Sequence, residues 1–169
     1  MSHAGALAPR AWAPSKGWRG NAVVLSQKAR YALRALVELA SEPTGQATAT
    51  VLASRAGAPK KFLEAILLEL ARHNILTSRR GKFGGYALAK PADVISFAEI
   101  IRVIDGPLAL APCVSRMAFK KCEACPDLKT CRLRQALLRA RDATAAVLEQ
   151  YSLADAVNGG ATEILRPVA

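Results

Sequence analysis

The chain has 169 residues, 51% of them hydrophobic, and 24 Lys and Arg against 13 Asp and Glu, for a net charge of +11. That length allows one domain, or one domain with an appendage. The hydrophobic share excludes global disorder, no run approaches the roughly 20 apolar residues of a membrane span, and the charge points to a polyanionic partner. The excess is concentrated: residues 55–90 hold eight Lys or Arg against two Glu, and residues 113–142 hold eight against three acids.

Residues 1–24 carry two Trp, three cations and no acid. They lack the apolar centre of a secretory signal and read as a disordered N-terminal extension, with Val23 or Val24 as a candidate initiation point. Ser26 is a good N-cap for a helix running to about Ser41. Its buried stripe is Ala29, Leu33, Leu36 and Leu39/Ala40, and Lys28, Arg30 and Arg34 form a basic face near its start. After the loop Pro43-Thr44-Gly45, Thr48 or Thr50 caps a short helix, Val51 to Ala56, which Gly57 stops. Pro59 suits the first turn of a third helix, running to about His73. Leu63, Ile66, Leu67 and Leu70 share one face of it. Ile75-Leu76-Thr77 and Tyr86-Ala87-Leu88 read as strands. The reversal between them, Arg79-Arg80-Gly81-Lys82-Phe83-Gly84-Gly85, combines three glycines that permit positive φ with three cations. Short helices followed by a basic β-ribbon make the helix-turn-helix pattern with a wing.

Ser96 caps a further helix, Phe97 to Ile104, with Glu99 placed to complete a capping box. Phe97, Ile100, Ile101 and Ile104 are its apolar face, and Asp105-Gly106-Pro107 ends it. The loop Leu108 to Pro126 is long enough to be functional or to need an internal staple. A long helix then spans Asp127 to Tyr151. Leu133, Leu137, Ala140, Thr144, Val147 and Tyr151 step by 4, 3, 4, 3 and 4, the seam of a two-helix packing, so this helix is read as a dimerisation element.

The four cysteines are spaced Cys113-x8-Cys122-x2-Cys125-x5-Cys131. Their clustering suits a metal or redox site in a reducing, cytoplasmic setting better than a disulfide framework. Thiolate is the soft ligand that iron–sulfur clusters and zinc both favour, and Cys122-x-x-Cys125 is a zinc-like half-site. Thiol–disulfide switching without metal is the third reading. The cations Arg116, Lys120, Lys121, Lys129 and Arg132 are expected to lower the thiol pKa values.

The segments LSQKARYALRAL (25–36), FLEAILLEL (62–70), SRRGKFGGYAL (78–88), ISFAEIIRVIDG (95–106) and SLADAV (152–157) resemble the Rrf2 family of bacterial winged-helix regulators, of the IscR, NsrR, RirA and CymR types. The likeness implies a mainly α fold with a small β-hairpin wing and a long C-terminal dimerisation helix. It also implies a homodimer reading a near-palindromic site in double-stranded DNA. It places Lys60, Lys61, Phe62 and Glu64 in the major groove, where Glu can accept from a cytosine amino group and Lys can donate to guanine or phosphate. Arg80 would enter the adjacent minor groove, which favours Arg where it is narrow. Arg79, Lys82, Lys28 and Arg30 would contact phosphates.

Many members of that family hold an iron–sulfur cluster on three loop cysteines. Here the matching positions are Cys113, Cys125 and Cys131, with Cys125 just before the long helix and Cys131 inside its first turn. Cys122 is additional, either a fourth ligand or a substitute for Cys125. Arg134 and Arg30 occupy the places from which other members supply a fourth ligand. A 2Fe-2S cluster is expected before a 4Fe-4S one, with zinc or no metal as the alternatives.

The chain so divides into a 1–24 extension, a 25–106 winged helix-turn-helix domain, a 107–126 Cys-rich sensor loop, a 127–157 dimerisation helix and a 158–169 flexible tail. The expected function is a cytoplasmic DNA-binding transcriptional regulator, a repressor, controlled by the loop cysteines. The rival, a CxxC thiol oxidoreductase, finds little support. Only His3 and His73 are present, and there is no P-loop or dinucleotide fingerprint.

Overall fold

Ser26 sets the start of the first helix, α1 (Gln27–Ala40). Its hydroxyl accepts the Ala29 amide at 3.0 Å, while its own amide donates to the Asp105 carboxylate at 2.9 Å. The computed structural model describes residues 25–79, 81, 84–122, 125 and 127–159. The expected 1–24 extension and most of the 158–169 tail lie outside them.

Ala29, Leu33, Leu36 and Leu39 are buried, as their 3–4 spacing requires. Thr48 caps α2 (Ala49–Ala56) by accepting the Val51 amide, and Gly57 closes it at φ 64. Leu52 and Ala53 face the core. In α3 (Lys60–Arg72) Leu63, Ile66, Leu67 and Leu70 are all fully buried. Pro59 is the N-cap rather than a first-turn residue, because its ψ of 127 is extended. Asn74 then takes the left-handed conformation, φ 57, and the Ile75 amide returns to the Leu70 carbonyl at 3.0 Å. This ends α3 and launches the sheet.

The sheet has three antiparallel strands, ordered β1-β3-β2. β2 (Leu76–Arg79) and β3 (Gly85–Leu88) form the expected ribbon, with Arg79 opposite Gly85. β1 (Gln46–Ala47) adds the unforeseen third strand, with Ala47 opposite Tyr86. Arg79 and Gly85 therefore belong to the strands, and the reversal itself is shorter than the sequence suggests.

α4 (Phe97–Ile104) buries Ile100, Ile101 and Ile104. Only half of its capping box forms. The Ser96 hydroxyl accepts the Glu99 amide, but the Glu99 carboxylate is taken by Lys90 at 2.7 Å. The complete capping box is instead at Ser152 and Asp155, at the head of α6 (Leu153–Val157). Leu153 is fully buried, Ser152 bridges to Ser96, and Tyr151 meets Phe97 edge-on at 5.0 Å. The chain thus returns to its own winged unit after the long helix.

That long helix, α5, spans Arg132–Gln150 and so starts five residues later than the sequence suggests. The Asp127 carboxylate accepts the Lys129 amide at 3.1 Å, a local side-chain turn that diverts this backbone from helix. Cys131 is consequently the N-cap of α5 rather than a first-turn residue. The helix has no buried residue, although it contacts α4 and the 3-10 turn Pro112–Val114. Among the seam positions, Leu133 is 73% and Val147 52% exposed, and Leu137, Ala140 and Tyr151 are half-buried.

Candidate nucleic-acid interface and cysteine centre

The amino end of α3 carries Lys60, Lys61 and Phe62 on the surface. Phe62 is 43% exposed, unusual for a large aromatic in a small unit with a closed core. It is not loose: Tyr31 of α1 meets it edge-on at a centroid distance of 6.0 Å. That pair fixes α1 against the head of α3, and Arg30, beside Tyr31 in the chain, is exposed. Tyr31 escapes a reading of the sequence because nothing in its α1 periodicity marks a partner 31 residues away.

Glu64 is half-buried and lies 3.9 Å from Lys60, one helical turn earlier. Lys28 has an acidic partner that the sequence did not indicate. It pairs with Glu69 of α3 at 2.6 Å, so much of its charge is answered within the fold. Arg79 is exposed at the end of β2. Arg80 and Lys82 lie outside the described residues. The structure therefore gathers Lys60, Lys61, Phe62 and Glu64 at the head of α3, leaves Arg30 exposed on α1, and sets Arg79 on the ribbon.

All four cysteines are free. Cys113 sits in the 3-10 turn and is only 3% exposed. The other three are half-buried, and Cys122 lines a hollow with Pro112, Lys120 and Lys121. The Cys125 and Cys131 sulfurs are 3.9 Å apart. Contact with Cys131, then burial, raises the Cys125 thiol above its ordinary pKa. Cys131 is lowered, first by the Arg134 amide in the opening turn of α5, although no full side-chain cap closes there. The two thiols of this pair are thus shifted in opposite directions, Cys125 up and Cys131 down. Contact with Cys122 and burial raise the Cys113 thiol. The expectation that the surrounding cations lower the thiols so fails for Cys113 and Cys125. Thiol–thiol contact and burial outweigh cations such as Arg116, which faces Asp142 at 3.0 Å.

These residues fit a thiolate-held metal centre chemically. Two thiolates on one tetrahedral ion stand roughly 3.8 Å apart, from metal–sulfur bonds of about 2.3 Å, and Cys125 and Cys131 already stand at 3.9 Å. The second pair, Cys113 with Cys122, is also in contact. Among the described residues no three donors are gathered into one ion-ready group. The Cys122 side chain also reaches Cys125, so the two pairs adjoin, and binding would release the thiol protons.

No helix among the described residues is long and apolar enough to cross a membrane. The sequence matches the Rrf2 family, described as iron-dependent transcriptional regulators, over residues 25–159. A protein of Rhodobacter capsulatus named as an rrf2-like HTH-type transcriptional regulator is 38% identical over 141 residues, 81% of this chain and 94% of that one. CymR, the global cysteine regulator of B. subtilis, superposes with a TM-score of 0.66 at 28% identity, covering 82% of this chain and 98% of its own. IscR of T. potens shares the fold at 24% identity and TM-score 0.62, covering 82% and 88%. Winged-helix Rrf2 regulators bind DNA, and these relatives are regulators rather than enzymes. With a mostly helical fold, a three-stranded wing sheet and a family match across nearly all of its described length, this chain belongs to the Rrf2 family of transcriptional regulators.

Proposed function

We propose that the protein is a homodimeric repressor whose operator affinity is set by the state of Cys113, Cys122, Cys125 and Cys131. The head of α3 would enter the major groove, with Lys60 and Lys61 on guanine or phosphate, Glu64 on a cytosine amino group and Phe62 in apolar contact with base edges. Arg80 would reach the neighbouring minor groove. Arg30, Arg79 and Lys82 would hold phosphates, as would Lys28 when Glu69 yields it. Two copies would pair through the exposed Leu133–Val147 face of α5 and set the heads about one DNA turn apart.

The observation that carries this reading is the pairing of all four free thiols immediately before α5. The four would hold an iron–sulfur cluster, 2Fe-2S before 4Fe-4S, which when bound supplies a centre sensitive to iron supply and oxidants. The chain's own part is to order the loop around Cys113 and the N-cap of α5 in one state and release them in another, shifting the population of DNA-competent dimers.

The 3.9 Å Cys125–Cys131 contact also favours a second reading without metal. An external oxidant would take two electrons and two protons from these thiols as their sulfurs join in a disulfide. Anaerobic purification with visible absorbance and metal analysis separates the two. Iron and sulfide with a coloured protein support the cluster. A colourless protein with stoichiometric zinc ends it, and a colourless metal-free protein whose operator binding responds to oxidant supports the disulfide.

A further inference from the structure

No residue of α5 is fully buried, yet the helix holds the Cys113 turn. Two hydrogen bonds join them. Arg134 Nε donates to the carbonyl of Cys113 at 3.3 Å, and Arg141 Nη1 donates to that of Val114 at 2.6 Å. Seven residues apart, the two arginines stand two turns along one face of α5. Their acceptors are consecutive and the residues that carry them are buried. Arg141 also bonds to Asp142 Oδ1 through Nε at 2.9 Å and Nη2 at 2.6 Å. Asp142 in turn takes Arg116 at 3.0 Å, two residues beyond Val114. The network thus leaves α5, enters the loop, and closes on itself.

We infer that Arg134 and Arg141 are positioning residues that transmit the state of Cys113 to α5 by gripping the Cys113 and Val114 carbonyls. This rests on the cysteine-controlled reading above. A buried carbonyl stripped of its donor is penalised beyond the value of the missing bond. The turn therefore cannot shift when the Cys113 sulfur changes partners unless α5 follows or both bonds break. Arg134 is tied to both ends of the cysteine set, with its backbone amide beside Cys131 and its side chain on Cys113. Guanidinium suits the task because one rigid fork serves the Val114 carbonyl and Asp142 together, which an ammonium group does not do.

The test uses full-length Arg141→Met and Arg141→Lys proteins with two readouts. The first is alkylation of Cys113 in reduced, metal-free protein, followed by peptide mass spectrometry. The second is the ratio of operator affinities between anaerobic as-isolated protein and oxidised protein, by fluorescence anisotropy. Arg141→Met is expected to speed Cys113 alkylation several-fold and to pull the affinity ratio toward 1 by about five-fold or more, the lower edge of ordinary allosteric coupling. Arg141→Lys keeps a donor for the Val114 carbonyl and should recover part of the ratio. A merely structural role would weaken binding equally in both states. That result, or a wild-type ratio in Arg141→Met, overturns the inference. If Arg141→Met does not fold, Arg134→Met decides on the same readouts. A wild-type protein whose binding ignores cysteine state refutes the switch and this inference with it. Wild-type switching with unaffected variants refutes the arginines alone.

Discussion

Replacing Gly85 by Ala adds a single methyl at the crowded centre of the wing. An ideal Cβ there would stand 2.8 Å from the Ala47 carbonyl oxygen, 3.1 Å from its carbon and 3.1 Å from Gln46 Nε2. Two of the three neighbours are backbone atoms of β1, so a rotamer change cannot relieve the clash. Either β1 moves off β3, breaking the Ala47–Tyr86 pairing, or β3 moves and carries its β2 partner Arg79 with it. Overpacking of this kind costs about 1–3 kcal/mol, which lowers Tm by about 4 °C per kcal/mol in a domain of this size. Because Arg79 faces Gly85 across the ribbon, operator affinity should fall as well. Thermal unfolding by circular dichroism with parallel anisotropy titrations measures both. A Gly85→Ala protein with wild-type Tm and wild-type affinity would refute the claim that close approach of β1 requires glycine here.

A Lys60→Ala/Lys61→Ala protein should bind operator and random duplex more weakly, with the salt dependence reduced by about 0.9 in log–log slope for each phosphate no longer neutralised; an unchanged titration at every salt concentration removes these residues from the interface. In reduced, metal-free protein, Cys131 should become reactive to iodoacetamide at lower pH than Cys125, since its pKa is lowered and that of Cys125 raised. Peptide mapping across a pH series showing the reverse order would contradict the assigned directions of shift. Leu133→Asp should leave the melting of the winged unit unchanged, because Leu133 is exposed in the single chain, yet dissociate the proposed dimer. The loss is about 1.5–3 kcal/mol of burial per Leu, counted twice in a symmetric pair. Light scattering that shows the variant still dimeric would displace the seam.

The winged unit is legible in the sequence because its signals are local and periodic. The 3–4 spacing of Leu63, Ile66, Leu67 and Leu70 and the capping roles of Ser26 and Thr48 each match what the fold does. β1 is not legible: two residues carry no period, and Gln46–Ala47 is a strand only because β3 lies beside it. The start of α5 is missed because Asp127 turns its carboxylate onto the Lys129 amide instead of leading a helix. The half-formed capping box at Ser96 fails for a long-range reason, since Lys90 competes for Glu99. The same holds at the site. Residue types and spacing pick out the four cysteines and the basic head of α3. The partners that tune them, Glu69 on Lys28, Tyr31 under Phe62, and Arg134 and Arg141 on the Cys113 turn, are fixed only by tertiary packing.

The most direct test is fluorescence anisotropy with a duplex selected from genomic fragments, titrated with protein prepared anaerobically, after iron removal, and after oxidation. The account predicts tight, salt-sensitive binding in at least one state and a clear loss in another, with Cys113→Ala, Cys125→Ala and Cys131→Ala folding normally but losing that difference. Failure to bind any duplex in all three states, or equal affinity in all of them, would contradict it.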